Sequence, residues 1–131
     1  MQITYFITAD YVIQDKNNDK YSLLGIFENF NMPADKDAIT PTFSIFFKAE
    51  GTKGTELVEI RIYNPDKTLL TSIDLTTDEP TQNDSLTVSA LIDDIEMTQV
   101  GDYPVSILIN GNVVQPAQNQ VLTVKLVTSE G

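Results

Sequence analysis

Apolar side chains recur at every second position over most of this chain. Phe43, Ile45, Phe47 and Ala49 alternate with Thr42, Ser44, Lys48 and Glu50, and Phe46 breaks the polar side. Val58, Ile60 and Ile62 alternate with Glu59 and Arg61; Leu86, Val88, Ala90 and Ile92 alternate with Ser85, Thr87 and Ser89. Tyr103, Val105, Ile107 and Ile109 also share one parity. A period of two lines one face of an extended backbone, so each run predicts a half-buried strand. Polar stretches rich in Gly and Pro separate the runs: DKNNDK (15–20), NMPADKDAITP (31–41), GTKGT (51–55), NPDK (64–67) and TTDEPTQND (76–84). No segment carries a convincing helical period. Short strands at regular spacing predict an all-β chain, a sandwich or barrel of seven to nine strands. The length of 131 residues suits a single domain over 1–131.

One stretch narrows the choice. In TQVGDYPVSILINGNVV (98–114), Tyr103 opens a strand just after Gly101. In immunoglobulin-like sandwiches a tyrosine near the start of strand F bonds its hydroxyl back to the backbone upstream, and its ring fills the core. Gly101 allows the tight turn before it. Asn110-Gly111 then fits a two-residue type I′ hairpin, in which both central residues take positive φ. These features predict an immunoglobulin-like antiparallel β-sandwich whose F–G hairpin turns at Asn110-Gly111. Antibody domains carry a core disulfide and tryptophan, and this chain has neither cysteine nor tryptophan.

The opening strand is less regular. Ile3, Tyr5, Ile7, Ala9, Tyr11 and Ile13 share the parity expected to face the core, and Phe6 and Val12 intrude on the polar side. With Phe46, these two would form an exposed apolar patch if they point outward together, the mark of a protein interface. A bulge that shifts the register would bury them instead. In the next segment, YSLLGIFENF (21–30), Leu23 to Phe27 is almost continuously apolar, which predicts a strand covered on both faces.

The composition excludes several chemistries. The absence of histidine removes Ser-His-Asp and Cys-His nucleophile systems, and with the absence of cysteine it removes the familiar zinc sites. Nineteen acids against eight bases give a net charge of −11, which repels phosphate backbones and anionic lipid surfaces. Nucleic-acid and membrane partners are therefore not expected. No apolar run approaches the roughly 18 residues of a membrane span. Asp10 interrupts the first apolar stretch, so no secretory signal is expected, and a cytoplasmic location is.

The acids supply weak candidates for calcium. Asp15, Asn17 and Asp19 copy the first ligands of an EF-hand loop, but Lys20 stands where that loop needs glycine and Ile26 where it needs glutamate. Asp93 and Asp94 lie in another acidic connection. No cofactor is expected, and adjacent carboxylates on extended backbone diverge too far for paired acid–base work.

The segments ITYFITADYVIQD and KYSLLGIFENF together resemble the start of a family of short bacterial proteins of unknown function. The matching residues are Ala9, Asp10, Val12, Ser22, Leu23, Gly25, Ile26 and Phe27, and GDYPVSILING is similar to that family's closing hairpin. The resemblance implies a single immunoglobulin-like domain made in the cytoplasm, and it brings no activity or catalytic residues. The expected function is therefore non-catalytic: a protein-interaction or structural module, binding another protein or itself. By analogy of form it would be a subunit or accessory of a larger assembly, such as a phage or mobile-element particle. The alternative is a small calcium- or carbohydrate-binding module. An acidic decoy for a DNA-binding protein ranks third, and a small hydrolase last.

Overall fold

A computed structural model describes residues 2–18, 20–51, 57–76, 85–118 and 120–127. All regular structure within them is strand: β1 (Gln2–Gln14), β2 (Tyr21–Phe27), β3 (Asn29–Pro33), β4 (Phe43–Glu50), β5 (Leu57–Tyr63), β6 (Leu69–Thr76), β7 (Ser85–Ile92), β8 (Gly101–Ile109), β9 (Asn112–Val113) and β10 (Val121–Val127). The strands form two sheets, ordered β2-β1-β4-β7 and β3-β10-β8-β5-β6, with β9 also pairing β8. The two sheets form a sandwich, and side chains from both fill one core.

The alternating runs place their apolar parity in that core. Phe43, Ile45, Phe47 and Ala49 of β4 meet Val58, Ile60 and Ile62 of β5, with Tyr103, Val105, Ile107 and Ile109 of β8. Leu86, Val88, Ala90 and Ile92 of β7 join them. The strand count exceeds the expected seven to nine for two reasons. Segment 21–30 breaks at Glu28, so that β2 lies in one sheet and β3 in the other. The two-residue β9 is also separate from β10. The sheets are not wholly antiparallel as expected, because the chain crosses at Glu28 and β3 runs parallel to β10.

Tyr103 sits at the start of β8 with no exposed surface. Its hydroxyl accepts the Gln99 N–H at 2.9 Å and donates to the Gln99 carbonyl at 2.7 Å, so the expected back-bond is present. Gly101 beside it has φ +130°, a conformation that favours glycine. Ile95 and Met97 are buried beneath the connection, and Met97 exchanges backbone bonds with Ile39. Asn110 and Gly111 have φ of 52° and 83°, both positive as a type I′ turn requires. The Asn110 side chain accepts the Leu57 N–H at 3.0 Å and ties the hairpin to β5.

The opening strand reverses the expected parity. Its register against β4 shifts between Ile3 and Tyr5, as a bulge does. Ile3 faces the core opposite Ala49, but beyond the shift Phe6 pairs with Phe47 and Thr8 with Ile45. Phe6 therefore packs against the core. Tyr5, Ile7 and Ala9 turn to the outer face, where Phe46 also points, since Ile7 is its partner.

Candidate interaction surface

Strand β1 is longer than its partner. Its ladder with β4 ends at Ala9–Ser44, whereas its ladder with β2 runs from Thr8–Phe27 to Gln14–Tyr21. The far half is therefore a two-stranded ribbon. Its turn is held by local bonds: Asp15 N–H to the Lys20 carbonyl at 2.8 Å, Asn17 N–H to Asp15 Oδ1 at 2.8 Å and Lys20 N–H to Asn18 Oδ1 at 3.0 Å.

A two-stranded ribbon is marginal in water unless something supports it. The support comes from the outer face of the first sheet. The Tyr21 ring lies 5.0 Å from the Phe46 ring, centroid to centroid. Phe46 pairs with Ile7 and Tyr21 with Gln14. An extended strand would separate Ile7 from Gln14 by about 23 Å. The ribbon must therefore curl back over the sheet. Phe46 is buried against the ribbon although it does not belong to the central core, and the Tyr5 ring also stacks on Phe46, at 5.7 Å. Gly25, opposite Asp10, has φ +70°. A Cβ at Gly25 would overlap the Asp10 carboxylate, with Cγ only 2.8 Å away.

The ribbon's other face is open. Tyr11 and Leu24 are direct cross-strand partners, 65% and 49% exposed. Ile13 and Ile26 flank them at 53% and 63%. Strand β2 is also the edge of its sheet, and YSLLGIF contains no charge and no proline. Lysine, proline or a covering loop normally blunts such an edge against pairing. The expectation that β2 is covered on both faces is thus corrected: its continuous apolar run reflects one supported face and one bare face.

At the base of the ribbon lies a pocket of about 440 Å³, bounded by Phe27, Phe30 and Phe43, with Asp10, Asn31 and Thr42 on its rim. The three rings meet edge to face, with Phe27–Phe30 at 4.8 Å and Phe30–Phe43 at 4.9 Å. A second, more polar groove of about 530 Å³ runs between Phe6 and Thr8 of β1 and Val121 and Thr123 of β10.

The residues singled out from sequence do not form one surface. Phe6 is turned inward, Phe46 is 5% exposed, and Val12 is half-buried on the ribbon. Tyr11, Ile13, Leu24 and Ile26 are exposed instead. Carrying one parity unbroken from Ile3 past the bulge turns Tyr11 and Ile13 toward the core, so the alternation does not find this face. The signal that would have found them was the length of β1 against β4. Asp15 uses its carboxylate to hold the ribbon turn, and Asp19 lies outside the described residues. Asp93 accepts bonds from the Thr42 hydroxyl at 3.0 Å and the Asp94 N–H at 2.9 Å. Asp94 has φ 59°. Among the described residues no three acids stand close enough to hold a metal ion, and no helix is long and apolar enough to cross a membrane.

Among the described residues two carboxylates are shifted, both away from the ribbon. Glu59 is held below the usual glutamate value by bonds from Arg61 and Ser72, with the Arg61 Nε at 2.6 Å. Asp66 is lowered by the side-chain and backbone bonds of Thr68. Each has a local partner that explains it, and neither opens onto a cleft described above.

No curated protein matches the chain. The chain belongs to a family of unknown function (DUF6941), whose model matches residues 4–122.

Proposed function

We propose that this chain is a non-catalytic interaction module on an immunoglobulin-like sandwich, binding another polypeptide chain through the β1–β2 ribbon. Support for the fold comes from strand order. Strands β4, β5, β6, β7 and β8 take the places of B, C, C′, E and F, and β9 with β10 takes that of G. The Tyr103 back-bond sits at the corner before strand F.

Support for the function rests on one observation. The uncharged edge of β2 stands beside the exposed Tyr11, Ile13, Leu24 and Ile26. An edge without charge or proline is a template for strand addition, and side chains on the adjoining face supply selectivity. The bound chain is a second copy or another component of a larger assembly.

A photo-crosslinking residue at position 24 tests this, with one at Ser72 on β6 as the control. The expected result is one defined product at position 24, a homodimer or a single partner, abolished by Ile26→Lys. Light scattering then separates self-association from binding to another chain. Equal labelling at positions 24 and 72, or labelling unmoved by Ile26→Lys, would overturn the reading.

A further inference from the structure

We infer that the pocket at the base of the ribbon receives a lysine or arginine side chain from an extended segment of a basic partner. This rests on the ribbon as the partner-binding edge and adds the chemistry of what binds there. Phe43 is almost fully buried behind the pocket, and Phe27 and Phe30 are half-buried, leaving part of each ring facing the opening. Such a wall suits the aliphatic stem of a long side chain, and ring faces attract its cationic head.

The rim supplies the counter-charge. The exposed Asp10 carboxylate has no hydrogen bond or ion pair among the described residues, and no lysine or arginine lines the pocket. The missing side chain at Gly25 lets that carboxylate lean over the pocket mouth. Thr42, also on the rim, already donates to Asp93, so a second acid stands one bond away. A norleucine-like apolar chain would fill the same space but leave Asp10 unpaired.

The position identifies the partner as a polypeptide. Gly25, Ile26 and Phe27 belong both to the pocket lining and to the open strand β2. A strand added along β2 directs alternate side chains to one face, so one of them is carried to the pocket. The net charge of −11 steers a basic segment toward the surface and an acidic one away from it, most strongly at low salt.

The test uses the full chain labelled with ¹⁵N and two blocked peptides, Val-Lys-Val-Lys-Val and its norleucine counterpart. The lysine peptide is expected to shift the amides of Gly25, Phe27, Phe30 and Phe43. The norleucine peptide and the Asp10→Asn variant should each weaken binding about twofold to fivefold at low salt, as loss of an exposed charged pair does. Asp74→Asn, on β6 in the other sheet, should leave it unchanged. Equal binding of both peptides along β2 would overturn the basic-side-chain pocket while leaving the ribbon a partner edge. Shifts at Phe30 and Phe43 with silent amides from Tyr21 to Leu24 would keep the pocket and sink the edge. Shifts scattered over all acidic loops, or none at millimolar peptide, would overturn the inference outright.

Discussion

The hydroxyl of Tyr103 serves two backbone groups of Gln99 at once. Tyr103→Phe keeps the ring in the core and strips both groups of their partner. The expected cost is about 1–3 kcal/mol, since an unpartnered buried group loses its solvation without return. Denaturant titration checks this: the midpoint should fall with an unchanged slope. A second signature lies at alkaline pH. Burial raises the phenol above its ordinary value, with the Gln99 N–H opposing and Asp66 adding to the rise. The folded state thus favours the neutral phenol. Its contribution is complete below the unfolded pKa and is lost as pH climbs from there through the folded one. Wild type should lose stability above about pH 10, the usual tyrosine value. Tyr103→Phe should lack that component. This corner was legible in sequence, as was the turn at Asn110-Gly111. Both are local devices in which a few adjacent residues dictate the geometry. Phe6 was not legible, because its direction depends on a register shift at residues 3–5 that only pairing with β4 defines.

Among the elements, β4, β5 and β8 each pair on both sides, β7 pairs with β4 alone, and all four bury one parity throughout, so alternation alone identified their core faces. The other edge elements were harder to read. In β6, a register shift opposite Ile62 and Tyr63 leaves Leu69 exposed while Leu70 packs inward. In the β1–β2 ribbon, Tyr21 touches a ring far from its paired neighbour in the sequence pattern, a contact that periodicity does not encode. That contact makes the ribbon a testable cooperative unit. Phe46→Ala removes the ring against which both Tyr5 and Tyr21 pack. The ribbon should then open locally while the central core stays closed. Hydrogen exchange is the direct readout: amides of Tyr11 to Ile13 and Ser22 to Leu24 should exchange faster, and those of Ile60 and Ile107 should keep their protection. The loss in global stability should fall below the about 3–5 kcal/mol of a phenylalanine deleted from a core. Phe47→Ala, inside the core, should cost the full amount and speed exchange everywhere. If Phe46→Ala accelerates all amides equally, the ribbon is part of the main cooperative unit and not a clasp.

For the molecule as a whole, charge is the dominant unbalanced term. The sequence carries 19 acids and 8 bases, and among the described residues the one ion pair is Arg61–Glu59. That pair sits at the surface and is screened like any other, so it offers little against the repulsion among the remaining carboxylates. A compact state with so large a net charge is destabilised by its own field. The screening length shrinks from about 30 Å at 0.01 M salt to about 10 Å at 0.1 M, shorter than the span of a small domain. Raising sodium chloride from about 0.01 M to about 0.3 M should therefore raise Tm. The pH response separates this from a general salt effect. With no histidine and no cysteine, no side chain has an ordinary pKa near neutrality to change the field. On the acid side, Glu59 and Asp66 have lowered folded pKa values. Their contribution is present above the ordinary carboxylate range and lost as pH falls through their folded values. Tm measured at low and high salt from about pH 8 to about pH 3 should thus converge as carboxylates lose charge, the low-salt curve rising toward the other before both fall. A Tm that drops with salt at neutral pH would mean that attractive pairs outweigh the net charge.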